Sequence, residues 1–142
     1  MAAMLVAHIE DTKRKVSQTV LGAERIWTDG AILERATELP IPIEDHLRKV
    51  GRGPVAREQM VDLLDQVEKA RGRGHVATLV RDDAREFACR FDGGGVSART
   101  NCVYANYVEA RYPEASYVVT GPWDPVLVAV GPTIRAVIMP VK

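Results

Sequence analysis

HVATLVRDDAREFACRFDGGGVSARTNCVYANYVEARYPEASYVVTGPWDPVLVAVGPTIRAVIMP, residues 75–140, is the stretch whose reading decides the fold. It holds nearly all of the strand-like sequence, both cysteines and the one glycine cluster that leads toward a convincing helix. His75 to Arg81 and Arg85 to Phe91 read as strands joined by a turn at Asp82-Asp83-Ala84. In the second, Phe87, Cys89 and Phe91 share one face while Glu86 and Arg90 share the other. Asp92 to Gly95 is a flexible break. Thr100 to Tyr112 reads as a helix stopped by Pro113, apolar nearly all round and therefore expected to be buried. Tyr117 to Thr120, Val126 to Val130 and Ile134 to Met139 are three further strands. Gly121-Pro122-Trp123-Asp124-Pro125 and Gly131-Pro132 separate them.

Upstream of this stretch the patterning is helical. Leu5, Ile9, Val16, Val20, Ala23 and Trp27 recur at spacings near three and four, so residues 4 to 28 read as one amphipathic helix. Asp11 or Thr12 offers an alternative cap for a shorter helix, with Met4 to Ile9 as a strand. Thr28-Asp29-Gly30 is a turn, and Ala31 to Leu39 is at best a short helix. Pro40-Ile41-Pro42 is extended. Glu44 to Val50 reads as a short helix ended by Gly51. Pro54 opens another that runs to about Ala70, with Met60, Leu63, Leu64 and Val67 on one face.

A length of 142 residues indicates one domain, able to bury about 70% of its unfolded surface without disulfide or metal support. With 46% hydrophobic and 27% charged residues, the composition is that of a soluble protein. Nineteen basic side chains balance nineteen acidic ones, which argues against a general electrostatic grip on nucleic acid. Two cysteines make no disulfide framework. The N-terminus lacks a signal-peptide pattern and no apolar run reaches the length of a membrane span. The expected compartment is a reducing cytoplasm.

The candidate chemistry sits around the glycines. Gly93, Gly95 and Ala98 fit the G-x-G-x-x-G/A spacing of dinucleotide folds. The strand before them, however, looks like half of a hairpin rather than the opening of a βαβ unit. Arg90, Gly93 and Gly95 fit an R-x-x-G-x-G/A spacing. In this the short stretch, under one tenth of the chain, resembles acyl-CoA-dependent N-acetyltransferases, without the further C-terminal helix of that family. The resemblance implies an anion-binding loop formed by Arg90, Gly93, Gly94, Gly95, Arg99, Thr100 and Asn101, with backbone N–H groups approaching a pyrophosphate at a helix start. Asn101 to Val108 resembles the Asn-Cys helix of permuted cysteine hydrolases and acyltransferases. That implies Cys102 as nucleophile and His75 as its base, although Val103 and Tyr104 stand where that family places a histidine. Read from the residues alone, Cys89 and Cys102 are buried, inert thiols expected to stay reduced.

Other constellations carry less. The histidines and cysteines have no metal-ligand spacing, so neither a metal nor a cofactor is expected. Glu44 to Ala70 followed by a hairpin resembles helix-turn-helix plus wing. Its second helix is rich in Glu and Asp, which repels phosphate, and only Arg71, Arg73 and Arg81 offer a basic rim. Residues 71–113 resemble small orphan proteins of actinobacterial phages, which implies an accessory or host-directed role and transfers no site.

Together these readings give a single α+β domain. Helices from residues 1–72 are expected to pack on a mainly antiparallel sheet of about five strands from residues 73–142, with one helix inserted. The expected function is non-enzymatic, through binding a protein partner or through self-association. The alternative is a small transferase or nucleotide- or acyl-CoA-binding enzyme using loop 92–101. A two-fold dimer is expected because Val126, Val128 and Val130 lie on a strand apolar at every position, and because Trp123 sits in a turn with nothing local to pack on.

Overall fold

Gly22, at φ +62°, turns the chain between two strands where the sequence pattern continues a helix. The computed structural model describes residues 17–36, 57–81 and 88–141. β1 (Ser17–Leu21) and β2 (Glu24–Thr28) form a hairpin with Leu21 opposite Glu24. Asp29 then shapes the next turn. Its Oδ1 accepts from the backbone N–H of Ala31 at 2.8 Å and of Ile32 at 3.1 Å, and β3 (Ile32–Ala36) runs back along β2. The helix expected over residues 4–28 and the short helix at Ala31 to Leu39 are therefore corrected to three strands over 17–36. Their spacing misled because Ile26 and Trp27, adjacent in sequence, are both buried. A strand covered on both faces loses its period-two signature. The β-branched run of Thr19, Val20, Ile26 and Thr28 then favours extended backbone. Residues 1–16 and the helix expected at Glu44 to Val50 lie outside the described residues.

α1 (Arg57–Arg71) and α2 (Cys102–Arg111) are the helices among the described residues. Asn101 caps α2, its Oδ1 accepting from the Val103 N–H at 2.9 Å. β4 (His75–Val80), β5 (Ala88–Gly93), β6 (Val96–Asn101), β7 (Ser116–Val119), β8 (Val126–Val130) and β9 (Thr133–Ile138) complete the sheet. Its order is β1-β2-β3-β9-β8-β7-β4-β5-β6, with every pairing antiparallel. These are three consecutive three-strand meanders laid side by side. The expectation of helices on five strands thus becomes, among the described residues, a nine-stranded sheet with one helix on each face. β6 is the strand the sequence pattern conceals in the second half: Thr100 and Asn101, expected to begin the helix, lie on β6, and the helix starts at Cys102.

The sheet curls around α2. Val141 lies three residues beyond β9, a reach of about 10 Å, yet its N–H donates to the Arg99 carbonyl on β6 at 2.8 Å. In a flat sheet β9 and β6 would stand five strand spacings apart, about 24 Å. On the concave side, Tyr104, Tyr107 and Val108 of α2 pack with Trp27, Ile32, Val128, Ala136 and Ile138. Ala105 packs with Ala77, Cys89, Phe91, Ala98, Val119 and Val126. On the convex side, Met60 and Leu64 of α1 cover Ile26 and Leu33, while Val67 covers Val118, Leu127, Ile134 and Val137. Arg71 fixes the end of α1 by donating to the carbonyls of Pro132 at 2.6 Å and Gly131 at 2.9 Å.

One surface ion triad ties the first meander to the last. Glu24 on β2 accepts from Arg35 on β3 at 2.6 Å and from Arg135 on β9. The hydrogen bond from Arg35, with Arg135 adding to it, holds the Glu24 carboxyl below its ordinary value. A folded pKa below the unfolded value of about 4.3 stabilises the protein above that pH and ceases to do so as pH falls through the folded value. Urea midpoints should therefore fall between about pH 6 and about pH 3, and Glu24→Gln should flatten that fall by lowering the midpoint chiefly at the higher pH. An unchanged pH slope in the variant would remove Glu24 from the acid response.

Candidate functional site

Two places in the fold combine polar chemistry with unusual exposure or burial. The first is a carboxylate sealed inside the protein. Glu34 on β3 is fully buried, and its oxygens face the inner side of α2. Oε1 accepts from Trp27 Nε1 at 2.8 Å and from the Tyr107 hydroxyl at 2.5 Å. Oε2 accepts from the Tyr112 hydroxyl and pairs with Arg111 Nε at 2.5 Å. One turn away, the Tyr104 hydroxyl donates to Asp29 Oδ2 at 2.5 Å. Burial, together with the negative charge of Glu34, pushes the Tyr107 and Tyr112 phenols well above their ordinary range. Both hydroxyls donate to the Glu34 carboxylate. The arrangement satisfies a buried charge and fastens α2 to the β2–β3 edge, and both of its carboxylate oxygens are already occupied.

The second place is open. Between the C-terminal half of α1 and the β7–β8 turn lies a groove of about 570 Å³. Leu63, Val67 and Leu127 supply apolar lining, and Lys69, Arg73 and Asp124 supply charge. The turn is held by Thr120 Oγ donating to Asp124 Oδ2 at 3.2 Å and by the Asp124 N–H donating to the Gly121 carbonyl at 3.3 Å. It presents Trp123, beside the groove residue Asp124, with 64% of its surface exposed. The elements explain this placement. Arg71 anchors the C-terminal end of α1 at the β8–β9 turn. Pro122 and Pro125 on either side of Trp123 interrupt strand pairing there.

The residues of the expected anion loop are distributed differently from their sequence pattern. Gly94 and Gly95, at φ +57° and +81°, form the two-residue tip of the β5–β6 hairpin. Gly93 ends β5, while Arg99, Thr100 and Asn101 lie on β6. The glycines thus open a strand, and six residues separate them from the start of α2. Arg90 and Arg99 are directly opposite each other across the hairpin. Arg90 is engaged by Asp92 at 2.8 Å, and Ser97 donates to the same carboxylate at 2.7 Å. The Ser97 hydrogen bond, with Arg90 assisting, keeps the Asp92 carboxyl below its ordinary value.

His75 and Cys102 are not brought together as an acid–base pair. The His75 ring packs on Gly94, where an added Cβ would stand 2.2 Å from it, and the sulfur of Cys102 meets that of Cys89. Val126 and Val128 are fully buried and Val130 is partly buried. The chain's own α1 and α2 cover the two faces of β8, so these valines form core and not a free interface. Trp123 alone of the expected interface residues is exposed. Of the basic rim, Arg71 is engaged at the β8–β9 turn and Arg81 by α2, while Arg73 borders the groove.

No family model, curated protein or solved structure matches this chain. The site therefore rests on its own geometry. Sequence reasoning found Trp123 through its improbable place in a turn. It missed the groove, because Leu63 and Val67 read as ordinary core positions of α1 and nothing local placed residues 120–127 beside them. Glu34 was missed because an acid in ILERA carries no sign that its partners lie 73 and 78 residues away. Among the described residues no cluster of three or more His, Cys, Asp or Glu side chains is placed to hold a metal, and no helix is long and apolar enough to cross a membrane.

Proposed function

We propose that this chain is a non-enzymatic binding protein that takes a segment of a partner protein into the groove between α1 and the β7–β8 turn. The observation that carries this reading is Trp123, 64% exposed and next in sequence to Asp124, which lines a groove together with Leu63, Val67 and Leu127. Tryptophan is enriched among the anchor residues of protein interfaces. Lys69 and Arg73 border the same groove, so the favoured segment carries an apolar side chain flanked by acidic residues. Asp124 opposes a uniformly acidic ligand and selects for a central apolar or basic position.

A displayed library of random peptides, selected against the full chain, tests this. Enriched peptides should bear an apolar residue with acidic neighbours. Their affinity should drop at least about tenfold on Trp123→Ala, the size of loss typical when an interface anchor is truncated. Charge reversal by Lys69→Glu should weaken them further. Because Trp123 is solvent-exposed, its replacement should leave the unfolding midpoint close to that of the wild type. Peptides that bind both variants as well as the wild type would contradict the groove. Concentration-dependent mass in light scattering, abolished by Trp123→Ala, would instead assign the surface to a second copy of the chain.

A further inference from the structure

Cys89 and Cys102 lie on different elements, yet their sulfurs are 2.8 Å apart. Both are free thiols. A disulfide bond measures about 2.0 Å, so the two sulfurs stand just beyond bonding distance and share a hydrogen bond. We propose that Cys89 and Cys102 form a thiol–disulfide exchange site that reacts with small-molecule disulfides of the glutathione type. The reading of each cysteine as a separate inert thiol takes no account of this approach, which the β5–β6 hairpin creates by returning the chain so that Ala88 faces Asn101.

The surroundings assign the two sulfurs different parts. Cys102 is half-buried and opens α2, so a reagent can meet it from solvent. Cys89 is 1% exposed within the inner core and no reagent reaches it directly. Burial first, and the hydrogen bond with Cys102 second, push its thiol up to about 12. Arg81 Nη1 is 3.7 Å from Cys89 Sγ, and its guanidinium is held by Asn106 and by Glu109 at 2.8 Å. This places one positive charge where a thiolate would form. Opposite Cys89 in the strand register, the fully buried Thr100 hydroxyl has no hydrogen-bond partner among the described residues.

The reaction runs in two exchanges. The Cys102 thiolate attacks one sulfur of the small disulfide, forming a mixed disulfide and releasing one thiolate that takes a proton from water. Cys89 then attacks Cys102 Sγ, and its proton passes to the departing small thiolate. The Cys89–Cys102 bond forms as the second small thiolate leaves and is protonated. The protein dithiol loses two electrons and two protons, and the small disulfide becomes two thiols. The product clips β5 to the first residue of α2 around the whole β5–β6 hairpin.

The test equilibrates the folded full chain in buffers of reduced and oxidised glutathione, alkylates the remaining thiols and reads intact mass. The wild type should lose about 2 Da and take up no alkyl group, since two thiol protons leave. A non-reduced digest should contain the peptide joining Cys89 to Cys102. Cys89→Ser should accumulate one glutathione adduct, on Cys102. Cys102→Ser should form its adduct at least about tenfold more slowly, because the remaining sulfur is buried. Complete alkylation of both thiols in the wild type, a stable glutathione adduct without the internal bond, or equal adduct rates in the two variants would each overturn the proposal. The wild-type result stands even if a variant fails to fold.

Discussion

Glu34→Ala should destabilise the protein by about 3–5 kcal/mol, as removal of one partner from a buried ion pair does. Four donors converge on this carboxylate, from Trp27, Tyr107, Tyr112 and Arg111. Truncation leaves the Trp27 indole and Tyr107 hydroxyl without their acceptor inside the core and removes the Glu34 end of the Arg111 ion pair. Domains of this size are stable by about 5–15 kcal/mol, so the variant should sit near its unfolding threshold. Glu34→Gln should cost less, about 1–3 kcal/mol. Its amide oxygen can keep Trp27 and Tyr107 while its NH2 faces Tyr112, whose hydroxyl can turn to accept, and only the Arg111 pair is lost outright. Urea denaturation of both variants gives the ordering. If Glu34→Ala costs under about 1 kcal/mol, the carboxylate is not what fastens α2 to the sheet.

The second large effect concerns Gly93. A Cβ at this position would stand 2.4 Å from the Val76 carbonyl oxygen and 3.0 Å from Ala77 Cα. These are backbone atoms of β4, so no rotamer change relieves the contact and β4 and β5 must separate. Gly93→Ala should therefore cost about 1–3 kcal/mol, the range for inserting a carbon into packed structure. Gly72 provides the comparison. It has open space around its Cβ position and no left-handed backbone, so Gly72→Ala should leave stability within about 0.5 kcal/mol. Gly95→Ala should fall between them, since it has space but holds φ +81°. Equal urea midpoints for the Gly93 and Gly72 variants would show that the β4–β5 approach is looser than described. The glycine cluster is thus explained by strand packing and a hairpin tip.

Much of the second half of the fold was legible because its strands carry strong apolar runs between unmistakable turns. β8, as VLVAV between Pro125 and Gly131, and the body of α2, stopped before Pro113, are examples. α1 was legible for its spaced Met60, Leu64 and Val67. β6 was not, because VSARTN buries only Ala98 and Thr100 and places serine and arginine outward. Its best signal was the Gly94-Gly95 pair, which marks a two-residue hairpin as readily as a phosphate loop. β2 and β3 were hidden by double burial, as at Ile26 and Trp27 and at Ile32 and Leu33. The candidate site was half legible. Trp123 announced itself, whereas the groove depends on α1 meeting residues 120–127, a tertiary fact that no local pattern records.

The central claim, that this protein binds a partner segment at the α1 and β7–β8 groove, is tested most directly by titrating a selected peptide into isotope-labelled full chain and following backbone amide resonances. Saturable shifts should concentrate at residues 63–73 and 120–127, with the Trp123 indole N–H among the largest. Shifts centred on the β5–β6 hairpin at residues 90–101, with the groove unmoved, would contradict it.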